Sequence, residues 1–229
     1  MGLEAEHVLT GGTTPGVVRV GDTVRRPLHD RSSYVQSVLR HLESVGFDGA
    51  PRVLGIDQSG REILSFVAGD VVREPAELSD ARLRSVAQLI RRFHDATAGT
   101  APAQGAEVVC HGDLGPHNTV FDGDRAVGLI DWDLYVAPGP RLHDLGHAVW
   151  CYADIGADGG PVAFQARRAR LICEAYGWDD PNAVIDEIPD RFRRARAEHR
   201  AAGRDKAAGI FSELITWMKL HSADLKSQP

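Results

Sequence analysis

The segment His111-Gly112-Asp113-Leu114-Gly115-Pro116-His117-Asn118 sets a carboxylate and an amide on one short stretch, and a second carboxylate follows at Asp131 in Ile130-Asp131-Trp132-Asp133. One acceptor for a hydroxyl proton, with further oxygen ligands for a magnesium ion bridging nucleotide phosphates, is what phosphoryl transfer asks of a protein. Asp113 is the candidate acceptor, and Asn118 and Asp131 are the candidate metal ligands. By themselves Asp, Asn, Gly and Pro also close ordinary turns. Chemistry is favoured because two apolar runs, VVC leading through the polar cluster to NTVF, and AVGLI after the turn DGDR, each deliver polar residues to one end. In a hairpin those ends are neighbours, and that is where reactive groups usually sit.

The spacing D-x-x-x-x-N is that of a kinase catalytic loop, with Gly112 where a protein kinase has arginine. HGDLGPHN, LIDWD and PGPRLHDLGH stand in that order from Cys110 onward. On these motifs the chain resembles the aminoglycoside phosphotransferase and choline kinase group over essentially its full length. The resemblance implies an α+β, protein-kinase-like two-lobe fold, with a small antiparallel sheet and one helix over residues 1–68 and a mainly helical lobe over residues 69–229. It implies ATP and Mg2+ as cofactors and a small-molecule hydroxyl, on an aminoglycoside, amino alcohol or sugar, as acceptor.

Residue by residue, the resemblance implies that Asp113 positions the hydroxyl and takes its proton, with His111 beside it shaping the loop by hydrogen bonding. Asn118 and Asp131 would hold magnesium, Asp133 would be an outer metal contact, and Asp144 would anchor the loop. Gly11 and Gly12 lie in a glycine-rich turn that could lay backbone NH groups near phosphates. Arg25 falls where a strand cation contacts those phosphates, Arg26 taking its place if the register differs by one, and adenine is expected against a hinge near Ser65 and Val67. Kinases of this group pair the strand cation with a glutamate early in the next helix. The matching stretch here reads Ser32-Ser33-Tyr34-Val35-Gln36, and Glu43 comes too late.

The elements that must position these groups are legible from period and punctuation. VVRV and TVRR around Gly21-Asp22 read as a tight hairpin, glycine supplying the positive φ. Ser32 or Ser33 is expected to cap a helix with Val35, Val38, Leu39 and Leu42 on one face, ended by Gly46. PRVLGID and REILSFV follow as strands joined by Gln58-Ser59-Gly60, and Ser79 or Asp80 caps a helix carrying Leu83, Val86, Ala87, Ile90 and Phe93. From Leu142 onward helices are predicted over 142–156, 162–176, 183–202 and 206–223.

The chain has 229 residues, 43% hydrophobic and 25% charged, enough for a substantial core. A formal charge of -6 argues against general nucleic-acid binding. RFRRARAEHRAAGRDK reads as a solvated helix face because no stacking aromatics interleave its arginines. Cys110, Cys151 and Cys173 are widely spaced and odd in number, which suggests neither a disulfide framework nor zinc and fits a cytoplasmic setting. No uncharged apolar run is long enough to span a membrane. Charges in the helical half are balanced, so no strongly cationic acceptor is announced. A nucleotide-binding pseudokinase is the competing reading, and a protein kinase is a weaker one because PGPRLHDLGH follows IDWD with no activation segment between.

Overall fold

Gly21 takes a φ of +56°, and the strands it joins pair Val18 with Arg25 and Val20 with Thr23, the hairpin that the Gly-Asp turn predicts. The computed structural model describes residues 5–9 and 15–227. Strands β1 (His7–Val8), β2 (Val18–Val20) and β3 (Thr23–Arg26) lead to helix α1 (Ser32–Ser44). After it, β4 (Val53–Ile56) and β5 (Glu62–Ser65) complete an antiparallel sheet in the order β1-β2-β3-β5-β4. Val35, Val38, Leu39 and Leu42 of α1 are buried as their spacing requires. The expected serine cap is absent: Arg31 occupies that position, and the Ser32 hydroxyl instead turns back to accept from the His29 NH at 2.9 Å.

The chain leaves this sheet through Phe66–Gly69 and enters β6 (Asp70–Val71), which pairs with a strand from later in the sequence. Helix α2 (Asp80–Thr97) begins where expected, the Ser79 hydroxyl accepting from the Arg82 NH at 3.1 Å. Then come β7 (Val108–Cys110), β8 (Thr119–Asp122), β9 (Arg125–Leu129) and β10 (Ala137–Gly139). They form two small sheets, β6-β8-β9 and β10-β7. Four helices close the chain: α3 (Arg141–Ala153), α4 (Val162–Tyr176), α5 (Pro181–Ala201) and α6 (Asp205–Ser227). Helix α3 ends earlier than its apolar pattern suggests because Asp154 turns left-handed at φ +58° and the Ile155 NH bonds back to the Trp150 carbonyl. Among the described residues no helix is long and apolar enough to cross a membrane.

Helix α2 is the organising element of the larger half, packing on α4 and β9 with Leu83, Val86, Ile90 and Phe93 fully buried. Phe93 does more than fill space. Its ring meets Phe47, just beyond α1, at 6.2 Å and stands edge-on to Trp132 at 5.0 Å, so one side chain ties the region after α1 to the Asp131–Asp133 turn. Phe93→Ala should cost about 3–5 kcal/mol, against about 1 kcal/mol for loss of the Ser79 cap in Ser79→Ala. Urea unfolding of the two variants beside the parent checks both the order and the size.

Candidate active site

Gly112 has a φ of +78°, and a Cβ there would lie 2.5 Å from the Tyr135 carbonyl oxygen, so the turn that presents Asp113 admits only glycine. Asp144, in the first turn of α3, pins this turn. Its Oδ2 accepts from the His111 NH at 2.7 Å and its Oδ1 from the Gly112 NH at 2.8 Å, while His94 of α2 lies 3.1 Å from Oδ2. Burial alone would push the Asp144 carboxyl up, but His94 and the loop amides override it and hold the group below its ordinary value. His111 is buried, with Nε2 3.0 Å from the Ile130 carbonyl and its ring edge-on to Trp132. It braces the loop and touches no cleft-facing group of Asp113.

A single turn of 3₁₀ helix, Pro116–Asn118, then delivers Asn118 back to Asp113. Its Nδ2 donates to the Asp113 carbonyl at 2.8 Å and to Asp113 Oδ2 at 2.9 Å, which turns the amide oxygen the other way. Asp113 is 33% exposed, with His117 Nε2 3.6 Å from Oδ2 and His147 Nε2 3.6 Å from Oδ1. Desolvation raises this carboxyl, yet the imidazoles more than offset it and the group settles at about 2. Buried His147 is itself pushed down, by desolvation and by the Arg191 guanidinium near it.

The β8–β9 hairpin pairs Thr119 with Leu129, and the Ile130 NH donates to the Asn118 carbonyl at 2.9 Å, so Asn118 and Asp131 emerge side by side. Asp131 sits at φ +63°, a left-handed conformation that re-aims its carboxylate at the end of the strand. Its carboxyl is raised, first by the surrounding protein and then by repulsion from Asp133, with Arg26 opposing. The donor set suits magnesium. Two carboxylates and an amide oxygen are hard ligands, their mutual repulsion is what a divalent cation relieves, and magnesium takes the rest of its shell from water and phosphate. Among the described residues no three His, Cys, Asp or Glu side chains converge into a metal cage of their own.

In the first sheet it is Arg26, the alternative register, that turns inward. Arg25 points to the far face, where it bonds Thr23 Oγ1 at 2.8 Å and lies 4.0 Å from Asp57. Arg26 is the buried one: Nε donates to Glu62 Oε1 at 2.8 Å, and Nη2 donates to the Trp132 carbonyl, next to Asp131. Strand alternation explains this, since Arg26 and Val24 share a face with their cross-strand partners Glu62 and Leu64. Glu43 is spent on exposed Arg52 at 3.6 Å. Ser65 Oγ accepts the Arg52 NH at 2.8 Å, and Val67 packs over Gly128, so both sit at the link between the sheets. Gly11 and Gly12 lie outside the described residues.

Residues 62–210 match the sequence profile described as the phosphotransferase enzyme family. The chain is also 37% identical over 238 positions to the trifolitoxin immunity protein of Rhizobium leguminosarum bv. trifolii, across 92% of this chain and 88% of that one. It belongs to the phosphotransferase enzyme family. Similar solved structures include an aminoglycoside phosphotransferase from Streptomyces rimosus in complex with ADP and streptomycin, with TM-score 0.62 and 16% identity over 82% of this chain and 91% of the other. A choline/ethanolamine kinase family protein from Mesorhizobium loti matches with TM-score 0.53 and 16% identity over 97% and 92%. At such identities the likeness speaks for the fold, which is the kinase-like one expected.

Three groups of this phosphotransferase-family site escaped the sequence reading. Glu62 had a signal, because it alternates with Leu64 on the core face of a strand. His147 lies one helical turn beyond Asp144, so both face the same loop. Arg191, whose Nη2 donates to the Gly112 carbonyl at 2.9 Å, comes from α5 with no local sign of its role.

Two substitutions should move stability in opposite directions. A carboxyl with a raised folded-state pKa ionises more readily in the unfolded chain, so Asp131 weakens the fold as pH rises past about 4. Asp131→Asn, in which asparagine tolerates the left-handed backbone, should therefore melt higher than the parent at pH 7 in metal-free buffer and lose any magnesium-dependent nucleotide response. Glu62→Ala strands the buried Arg26 charge and should cost about 3–5 kcal/mol. Thermal and urea unfolding at pH 7 read both.

Proposed function

We propose that this chain transfers the γ-phosphate of ATP, with magnesium, to a hydroxyl of a small molecule. The observation that carries the reading is the convergence of Asp113, Asn118 and Asp131 on one edge of the β8–β9 hairpin, with the Arg26 guanidinium bonded one residue from Asp131. Bound magnesium-nucleotide would supply the electrophilic phosphoryl group, with Asn118 and Asp131 as its oxygen ligands, Asp133 outside them and Arg26 facing the phosphates. Structural relatives held with ADP or GDP support a nucleotide in this place.

Asp113 would orient the acceptor hydroxyl. A carboxyl at about 2 is a weak base, so it would take the proton only as the oxygen gains its bond to phosphorus. Asn118 keeps Asp113 Oδ2 fixed, and His147 stands 3.6 Å from Oδ1. Positioning and electrostatics, rather than covalent chemistry, would account for most of the rate.

A second reading has one observation in its favour: the relative at 37% identity is called an immunity protein, a role that binding without turnover could also serve. One experiment separates the two. Melting with ATP, GTP and ADP, each with and without magnesium, should show a magnesium-dependent rise in Tm, about 2.7 kcal/mol of stabilisation at a hundredfold excess over Kd. Asp113→Asn should keep that rise while losing about 10²–10⁴ in phosphotransfer rate. A nucleotide response with no turnover in the parent favours binding alone, and no response to any nucleotide sinks both.

A further inference from the structure

Beside the Asp113 loop stands one guanidinium, Arg191, that no carboxylate among the described residues answers. A cleft of about 150 Å³ opens between this loop, β10, α3 and α5, with Gly112, Tyr135, His143, Arg191 and Arg194 in its lining. Arg191 reaches it from α5 and donates Nη2 to the Gly112 carbonyl, one residue before Asp113. That is its whole set of hydrogen bonds among the described residues. Its Nε is buried without an acceptor, and it forms no ion pair.

The carboxylates nearby are already engaged. Asp144 has His94 and the loop amides on its two oxygens. Glu187 bonds Arg194 and lies 3.7 Å from His143. Asp113 Oδ2 accepts from Asn118 Nδ2. An acceptor bringing an ammonium group beside Arg191 would meet a guanidinium with no carboxylate partner, the like-charge juxtaposition by which sites reject a ligand, whereas Arg194 already has Glu187.

We propose that the cleft binds the phosphoryl acceptor and that the acceptor carries a carboxylate, held by Arg191 with Arg194 at the rim, while its hydroxyl lies against Asp113. The planar fork of arginine matches a carboxylate with two parallel bonds. This rests on the phosphotransfer reading of Asp113. The acceptor oxygen gains the bond to phosphorus, the bond from phosphorus to the departing nucleoside diphosphate breaks, and the hydroxyl proton passes to Asp113.

The test uses the full chain with magnesium and a hydrolysis-resistant ATP analogue, titrated with gluconate, glucitol and glucamine, which share a six-carbon polyol skeleton and differ in charge. Glycerate, glycerol and 3-amino-1,2-propanediol form a shorter set. Binding is read by the shift in Tm, and turnover is then measured with ATP. The acids should bind about tenfold or more tighter than the neutral and amine counterparts. Arg191→Gln and Arg194→Gln should each erase most of that preference. Arg191→Gln also loosens the Gly112 contact, whereas Arg194 makes no hydrogen bond to the loop among the described residues, so Arg194→Gln decides if the first variant folds poorly. Amines binding as well as acids, no binding by either acid, or an acid preference untouched by Arg194→Gln overturns the proposal. Because the binding arm needs no turnover, a charge preference without catalysis would refute the phosphotransfer reading and leave the carboxylate site standing.

Discussion

The candidate site hangs from one buried carboxylate. Asp144 accepts the two amides that shape the turn before Asp113 and sits against His94, whose other ring nitrogen lies 2.7 Å from the Tyr176 hydroxyl. Through these bonds the loop is fixed to α3, α2 and α4 at once. The arrangement holds because every oxygen of Asp144 is occupied by a donor. A charge with full hydrogen bonding tolerates burial, whereas the same charge with one donor missing would not. Placement in the first turn of α3 adds the favourable end of the helix dipole. Asp113 can therefore stay open to the cleft on a loop that has little freedom to move.

The cation on the first sheet is positioned by a different device from that of protein kinases. There a strand lysine pairs with a glutamate on a helix, and helix placement controls the pair. Here Arg26 and Glu62 are direct cross-strand partners, so β3–β5 register alone brings them together. Displacing α1 would leave this pair intact, and α1 has no acidic residue in its first turn to take part. Glu62 still has one buried oxygen without a donor. Among the described residues Glu62 is the ion-pair partner of buried Arg26, so removing it strands that charge and is expected to cost more than losing a surface ion pair would.

What could be read in the sequence was whatever local geometry dictates. The hairpin at Gly21, the capped start of α2 and the four late helices follow from turn chemistry and the 3.6-residue period, and the three ordered motifs disclosed the kinase-like fold. Arg25 and Arg26 stayed alternatives because a strand's two faces differ by one register step and a run of only four residues does not say which face looks inward; in the structure it is Arg26 that faces the Asp131 turn. Glu62 was passed over because the expected counter-charge belonged to a helix. Arg191 could not have been found locally: it meets the loop only once α5 folds back over α3, across 79 positions of sequence.

Fold kinship and acceptor chemistry have to be argued separately, because a kinase-like scaffold places phosphates by means that are largely independent of what receives them. On the proposed reading the nucleotide side depends on Asn118, Asp131 and Arg26, groups held by hairpin and sheet register. The proposed acceptor side depends on which charges α3 and α5 bring to the loop, and those helices can change their surface charges without disturbing either register. In this chain Glu187 is the one α5 acid bonded at that wall, and it is consumed by Arg194 and His143. A second acid there could answer a cationic acceptor. A second arginine, Arg191, stands instead with most of its donors unused, so charge rather than ancestry is the better guide to the molecule that fits.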